Sequence, residues 1–248
     1  MNNKKKNLIE IYQLELKAHK LLKNKDTTHG LAHALRLLLK EVKLYKNHFD
    51  GKSKIENREI LSLSKKIQVG GGNHTLDGFL NIDINPPADI IFDVREGLPL
   101  KSNYADLIFS EHFLEHIDYP VSVKKFIKEC YRVLNKKGKL IIGVPDSELV
   151  IKNYIERNKG FWRLMLSRWY SKRKRLKHFN TYIDLVNYHL RDQDDDLKYS
   201  SHYWAYDFEK LKSLVKSAGF TKINKWKFDS SIANPKREWG SLYVVAIK

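Results

Sequence analysis

Apolar positions recur at helical spacing over the first part of the chain. Residues 7–24 read as one helix. A second starts near Thr28, whose hydroxyl can cap it, and carries Leu31, Leu35, Leu38, Val42 and Tyr45 along one stripe. The polar stretch 50–58 (DGKSKIENR) reads as a linker. Residues 1–60 are therefore predicted to form a helical extension that packs on the main domain or on a second subunit, with Leu31, Leu35, Leu38 and Val42 on its buried face and no part in cofactor contacts. From Lys65 the period changes. Ile67-Gln68-Val69 is a short strand that runs into Gly70-Gly71-Gly72. Residues 79–84 (FLNIDI), 88–94 (ADIIFDV), 105–110 (ADLIFS) and 139–144 read as further strands, with a helix over 121–134 before the last. Residues 147–200 are helical, aromatic and basic. A helix over 207–219 with a glycine stop is followed by strands at 222–228 and 241–247. Short apolar runs spaced with helices predict an α/β fold with a parallel, doubly wound sheet.

Composition narrows this. A chain of 248 residues suits one large α/β domain, here 61–248, with additions, and 42% hydrophobic residues suffice for a core. The single cysteine, Cys130, excludes a disulfide framework and a cysteine zinc cluster, and fits a reducing, cytoplasmic setting. Near the start, Leu8, Ile9, Ile11 and Leu14 are broken by Glu10, Gln13 and Glu15, so no signal peptide is read there. No stretch is long and apolar enough to be a transmembrane segment. The formal net charge is +17, yet residues 61–150 hold 11 basic against 12 acidic side chains, so the excess lies outside the segment that carries the motifs. Attraction to an anionic partner and a merely solubilising lysine surface both fit that distribution.

The chemistry lies at the strand ends. Glycines at the carboxyl end of a parallel strand let a ligand approach the backbone where no Cβ could fit. Asp83, ending the next strand, can accept two hydrogen bonds from a ribose diol, which serves NAD and S-adenosylmethionine (SAM) folds alike. Asp93 ends the third strand and is followed by Gly97-Leu98-Pro99-Leu100. Asp106 begins a strand that runs into Ser110-Glu111-His112-Phe113-Leu114-Glu115-His116, and Arg132-Val133-Leu134-Asn135-Lys136-Lys137-Gly138 follows. Later come Asp207-Phe208 and Ala218-Gly219-Phe220. In this order the pieces resemble the class I SAM-dependent methyltransferases, especially the group called methyltransferase type 11, over residues 65–146 and 203–248. The resemblance implies a Rossmann-like, mostly parallel seven-stranded sheet with an antiparallel last strand, and S-adenosylmethionine as cofactor. It implies that Gly70 and Gly72 border the methionine part and that Asp83 holds the ribose hydroxyls. Asp93 with Val94 would sit near the adenine amine, and Ser110 and Glu111 beside the sulfonium. Two features depart from the family pattern. Gln68 stands where an acid is usual, and its amide can reach the SAM ammonium through water. Eleven positions separate Gly72 from Asp83, so the helix usual there is short or missing; some sugar-cluster members share this "Gly-Phe-x-Asn-x-Asp" spacing.

Methyl transfer is an in-line displacement for which the enzyme supplies alignment, with a base where the acceptor is a hydroxyl. Candidate bases are His112, His116, Asp146 and His202. His112 to His116 also fits the H-x-x-E-H zinc pattern. That pattern needs a long helix and a third ligand. Here the pair sits at a strand-to-helix junction that the resemblance accounts for, so no metal is expected; the plain reading of the two histidines is a cap and a helix residue. The segment 147–203 is predicted to be a helical lid. Within it, residues 161–178 mix aromatics with basic residues, and Arg173, Lys174 and Arg175 are expected to contact the acceptor. The same mixture suits nucleic acid, an anionic membrane surface or a solvated helix face. The expected acceptor is a small molecule or a glycan, polar and anionic. One alternative is an RNA methyltransferase, favoured by charge but lacking a recognisable RNA-binding module. Another is a non-catalytic scaffold with this fold, favoured by Gln68. A homo-oligomer is compatible with all three.

Overall fold

The structure is a computed structural model that describes residues 3–55, 64–170, 179–191 and 201–248. Two helices lead, α1 (Asn3–Leu22) and α2 (His29–Ile55). The sheet strands are β1 (Lys66–Val69), β2 (Leu80–Asp83), β3 (Ile90–Ile91), β4 (Ala105–Glu111), β5 (Leu134–Pro145), β6 (Lys222–Lys225) and β7 (Ser241–Ile247). Helix α3 (Val121–Val133) precedes β5. Helices α4 (Ser147–Ile155), α5 (Lys159–Met165) and α6 (Tyr182–Arg191) follow it, and α7 (Phe208–Ser217) precedes β6. The strand order is β3-β2-β1-β4-β5-β7-β6. All pairings from β3 to β5 are parallel, and β7 runs antiparallel to both of its neighbours. This is the Rossmann-like class I architecture. The chain leaves β1 toward β2 and β3, then crosses back to β4 on the other side of β1. That reversal opens a crevice at the carboxyl ends of β1 and β4, where ligands bind in open α/β sheets.

Alternation along the central strands sorts the core into two faces. Ile108, Leu140, Ile142 and Val144 point to one face, where Phe126, Ile127 and Cys130 of α3 and Leu211, Leu214 and Val215 of α7 cover them. Phe109, Ile141 and Tyr243 point to the other. Opposite them lie Leu76 and Phe79 from the β1–β2 connection and Ala233 from the β6–β7 connection, so loops rather than a helix close part of that face. Helices α4, α5 and α6, in the segment expected to be a lid, have a core of their own, formed by Val150, Trp162, Met165, Leu185, Val186 and Tyr188. The basic run Arg173-Lys174-Arg175, with the rest of residues 171–178, and all of residues 192–200, expected to belong to the lid, lie outside the described residues. Among the described residues no helix is long and apolar enough to cross a membrane.

Element edges differ from expectation in two places. Strand β5 begins at Leu134, directly after α3, because Leu134 turns extended and pairs with Ala105 ahead of a register shift. Helix α2 begins where the Thr28 cap places it, with the Leu31 N–H 3.3 Å from the Thr28 Oγ1, but continues to Ile55, into the stretch expected to be a linker, of which residues 56–58 lie outside the described residues. The reason is a packing contact. Gly51 lies so close to edge strand β3 that a Cβ there would come within 1.8 Å of the Ile91 carbonyl oxygen. The stripe on α2 is also rotated from expectation: Leu35 and Val42 are buried, while Leu31 is 45% exposed.

Helix α2 thereby reaches the end of β3. The Asn47 side chain donates to the Ile84 carbonyl at 2.9 Å, and the His48 ring lies 4.5 Å from the Phe92 ring. The Asp93 N–H donates to His48 Nδ1 at 3.1 Å, a contact that requires an unprotonated nitrogen. Burial lowers the His48 pKa, which favours that form.

Alanine normally stabilises a helix interior relative to glycine by roughly 0.5–1 kcal/mol. Gly51→Ala is expected to do the reverse here. Forcing a methyl against the β3 backbone should destabilise by about 1–3 kcal/mol, read as a lower thermal midpoint. An unchanged or higher midpoint would mean that α2 does not pack on β3 in this way.

Candidate active site

The crevice begins with the glycine turn after β1. Gly70 has φ +73, a conformation open chiefly to glycine, and its N–H donates to the Ile82 carbonyl at 2.9 Å. A Cβ at Gly70 would meet the Phe113 ring at 2.3 Å, so this glycine also lets the turn after β4 press against the turn after β1. Gly72 has φ +56 and open space where a Cβ would point. Its N–H donates to Asp83 Oδ2 at 2.9 Å, and the Asn85 N–H donates to Asp83 Oδ1 at 2.9 Å. The carboxylate at the end of β2 is thus fixed to the glycine turn by one oxygen and to its own strand end by the other. Each oxygen keeps a second lone pair for a ligand.

The connection from Gly70 to Phe79 contains no helix, and two side-chain amides hold it. Gln68 is buried, its Nε2 donating to the His74 carbonyl at 2.8 Å and its Oε1 accepting from the Leu76 N–H at 2.9 Å. The same N–H reaches Asn81 Oδ1 at 3.0 Å, and Asn81 Nδ2 donates to the Phe79 carbonyl at 3.1 Å and to Asp89 Oδ2 at 2.9 Å. Gln68 therefore sits at the expected strand position with both ends of its amide directed at the loop. Asn81 stood in the motif without a role; its burial at the centre of this network supplies one.

Asp93 caps the short turn Val94–Glu96 by accepting from the Arg95 N–H at 3.0 Å. Its carboxylate also holds the Arg95 guanidinium, with a closest contact of 2.7 Å, and Arg95 bridges on to Glu41 of α2 at 2.9 Å. Those two carboxylates push the Arg95 pKa up. Val94 is buried in the main core. Asp93, expected near the adenine amine, is accordingly tied to α2 through Arg95, a residue that no motif singled out.

At the end of β4 the two expected neighbours of the sulfonium diverge. Ser110 is buried, and its hydroxyl has no hydrogen-bond partner among the described residues. Glu111 turns to the opposite face. It accepts from the Tyr243 hydroxyl at 2.7 Å and the Asn234 N–H at 3.1 Å, and it pairs with Arg237 at 3.3 Å. Burial and this carboxylate raise the Tyr243 pKa.

Three of the four expected bases lie near one another, after β4 and in the segment that leads to α7. His112 has φ +50, and its Nε2 lies 2.7 Å from the Ser241 hydroxyl. Burial, then Arg237 and the neighbouring histidines, hold its pKa well below the usual imidazole value, so the ring is neutral at neutral pH. His116 lies on the turn Leu114–His116, its ring 4.8 Å from that of His202, edge to face. His202 comes from a strap that follows the lid. The strap is pinned by the Tyr203 N–H donating to the Glu115 carbonyl at 2.7 Å and by Trp204 stacked on Tyr119. Asp146 has another task in this structure: it caps α4, accepting from the Leu149 N–H at 3.1 Å.

Residues 81–142, which span β2 to β5, match a family model described as a methyltransferase domain. Over that stretch the chain is similar to a methyltransferase domain, and its seven-stranded sheet has the Rossmann-like class I order. A curated relative, an uncharacterized protein of Methanocaldococcus jannaschii, is 40% identical over 58 residues, 23% of this chain and 24% of that protein. The match thus spans about a quarter of the length of that relative. Solved structures with a similar outline include SAM-dependent methyltransferases of Methanosarcina mazei (14% identity, 75% of this chain and 94% of that one, TM-score 0.45) and Archaeoglobus fulgidus (15%, 79% and 91%, 0.43). Another is a Thermotoga maritima SAM-dependent methyltransferase titled a possible histamine N-methyltransferase (16%, 76% and 91%, 0.42). At the strand ends lie a backbone turn with open space at Gly72, an anchored carboxylate at Asp83 and a buried hydroxyl at Ser110 that has no hydrogen-bond partner among the described residues.

Gln68→Glu separates a loop-holding role from a cofactor-holding one. A carboxylate cannot donate to the His74 carbonyl, and burying its charge there should destabilise the fold by about 1–3 kcal/mol without tightening SAM binding. Tighter SAM binding in a variant of normal stability would place this side chain at the cofactor ammonium.

Proposed function

We propose that the chain binds SAM across the β1–β4 crevice and transfers its methyl group to a hydroxyl of a small-molecule or glycan acceptor. The observation that carries this reading is Asp83, anchored by the Gly72 and Asn85 N–H groups with acceptor capacity left toward the crevice. Gly70 and Gly72 border the methionine part, Asp83 accepts from the ribose hydroxyls, and Ser110 offers its hydroxyl beside the sulfonium. Gln68 and Asn81 keep the glycine turn in place. Asp93 and Val94 form the adenine end as a structural floor, with the Asp93 charge already matched by Arg95. Glu111 acts from behind the crevice through Arg237 and Tyr243. When bound, SAM supplies an electrophilic methyl group on a sulfonium centre.

A hydroxyl acceptor is supported by the imidazoles of His112, His116 and His202, which meet at the carboxyl end of β4 beside the lid. A proton released there has nitrogen acceptors at hand. Asp146, as a helix cap, positions α4 rather than taking that proton. The lid, with its separate aromatic core, suits an acceptor larger than the reacting group, such as a sugar. The motif spacing shared with sugar-cluster relatives favours the same class.

Loss of the Asp83 carboxylate should reveal the cofactor site directly. Asp83→Ala is expected to weaken SAM binding roughly 10- to 150-fold, equivalent to about 1.5–3 kcal/mol, in a calorimetric titration. Equal affinity in wild type and variant would remove Asp83 from the ribose site and with it the main support for this reading.

A further inference from the structure

Three metal-ligand side chains converge at the acceptor end from two separate parts of the chain. Glu115 and His116 come from the turn after β4, and His202 comes from the strap after the lid. One ligating atom from each, a carboxylate oxygen and two imidazole nitrogens, lie within 4.8 Å of one another. Glu115 is only 1% exposed, and both histidines are half-buried. This is not the helical H-x-x-E-H arrangement. His112, the first residue of that pattern, directs Nε2 to Ser241 and keeps Nδ1 3.7 Å from the Glu115 carboxylate, so it stands beside the cluster while Glu115, its glutamate, joins it. The third ligand that the pattern lacked is supplied by the strap.

A second feature concerns the outer contacts. His202 Nδ1 lies 3.1 Å from the His189 carbonyl oxygen, so Nδ1 carries a hydrogen and, in the neutral ring, Nε2 holds the lone pair. Fixing one imidazole nitrogen on a backbone carbonyl orients the other for a metal ion. The His202 N–H also donates to the Arg191 carbonyl at 2.8 Å, and the Tyr203 N–H donates to the Glu115 carbonyl, so both ligand-bearing segments are tied together at the backbone. Glu115 and His202 line a small cavity with Ser147, His189, Trp204 and Tyr206. The buried Tyr206 hydroxyl in that lining has no hydrogen-bond partner among the described residues.

We propose that Glu115, His116 and His202 bind a divalent transition-metal ion. Two imidazoles and one carboxylate suit zinc or its first-row neighbours and leave a coordination position for a water or an acceptor oxygen. The ligand atoms stand somewhat wider apart than in a closed tetrahedral site, so binding draws the strap and the turn together by a small movement. The consequence for chemistry rests on the methyltransferase reading: an acceptor hydroxyl on such an ion loses its proton more readily, and His116 and His202 then serve as ligands rather than as the base. The site itself does not depend on that reading.

The test uses the full chain, free of any added histidine tag, stripped with a chelator and titrated with Co2+. About one equivalent should bind with visible d–d absorption, and Zn2+ should displace it. His116→Ala and His202→Ala should each weaken Co2+ binding at least about 100-fold, beyond the effect of losing an outer contact. His33→Ala, on an exposed part of α2, should leave it unchanged. In the wild-type protein the bound Co2+ should shift the ring protons of two histidines in the NMR spectrum, a readout that needs no variant to fold. Absence of Co2+ absorption, unshifted imidazole protons, or equal Co2+ affinity in folded His116→Ala and His202→Ala would each overturn the proposal. SAM titrated into the same samples separates the two claims: Co2+ binding without SAM binding upholds the metal site and refutes the methyltransferase reading.

Discussion

The Leu76 N–H points at two side-chain amides at once, Gln68 at 2.9 Å and Asn81 at 3.0 Å. This pairing compensates for an unusual economy in the fold. The connection from β1 to β2 is too short for a helix, so its backbone groups cannot satisfy one another by local repetition. Buried backbone groups without partners are costly, and the two amides meet that demand from within the neighbouring strands. Their second ends reach the His74 and Phe79 carbonyls, so the loop is held along much of its length. With the loop fixed, Gly72 presents its N–H to Asp83, and Leu76 and Phe79 can cover the sheet face opposite α3.

The crevice is also bounded by parts of the chain that lie outside its motifs. Helix α2 presses Gly51 onto β3 and sends Glu41 to Arg95, which in turn holds Asp93. The short turn Pro235–Arg237 and its flank supply the Asn234 N–H and the Arg237 side chain to Glu111. The strap after the lid is hydrogen-bonded to the Glu115 backbone. Each of these contacts gives a charged or polar group at a strand end a partner, which lets such groups be buried. Asp93 is thereby linked to α2 through side chains, and the turn after β4 to the strap through a backbone hydrogen bond.

Much of the sheet was legible because its strands are short apolar runs closed by glycine, proline or acidic residues, and the period changes sharply at Lys65. The glycine turn and Asp83 were legible for the same reason: strand ends in a parallel sheet fall on one edge. Partner choice was not legible. Gln68 occupies a strand position where an acid is usual, and the sequence offers no signal that its amide turns toward His74 and Leu76. Glu111 reads as a crevice residue until Tyr243 and Arg237 draw it to the other face. The approach of His202 to Glu115 and His116 depends on where the lid returns, which periodicity does not encode. The polar composition of residues 50–58 suggested a linker, whereas the small size of Gly51 is what lets α2 lie flat on β3 there.

The central claim is that the glycine turn, fixed by Gln68 and Asn81, presents Asp83 to a cofactor ribose. A crystal structure of the complex with S-adenosylhomocysteine examines this most directly. The account requires both ribose hydroxyls within hydrogen-bond distance of the Asp83 carboxylate, with the Gln68 amide still bonded to the His74 carbonyl and the Leu76 N–H. A nucleoside bound away from Asp83, or a Gln68 side chain swung from the loop to the ligand's ammonium group, would contradict it.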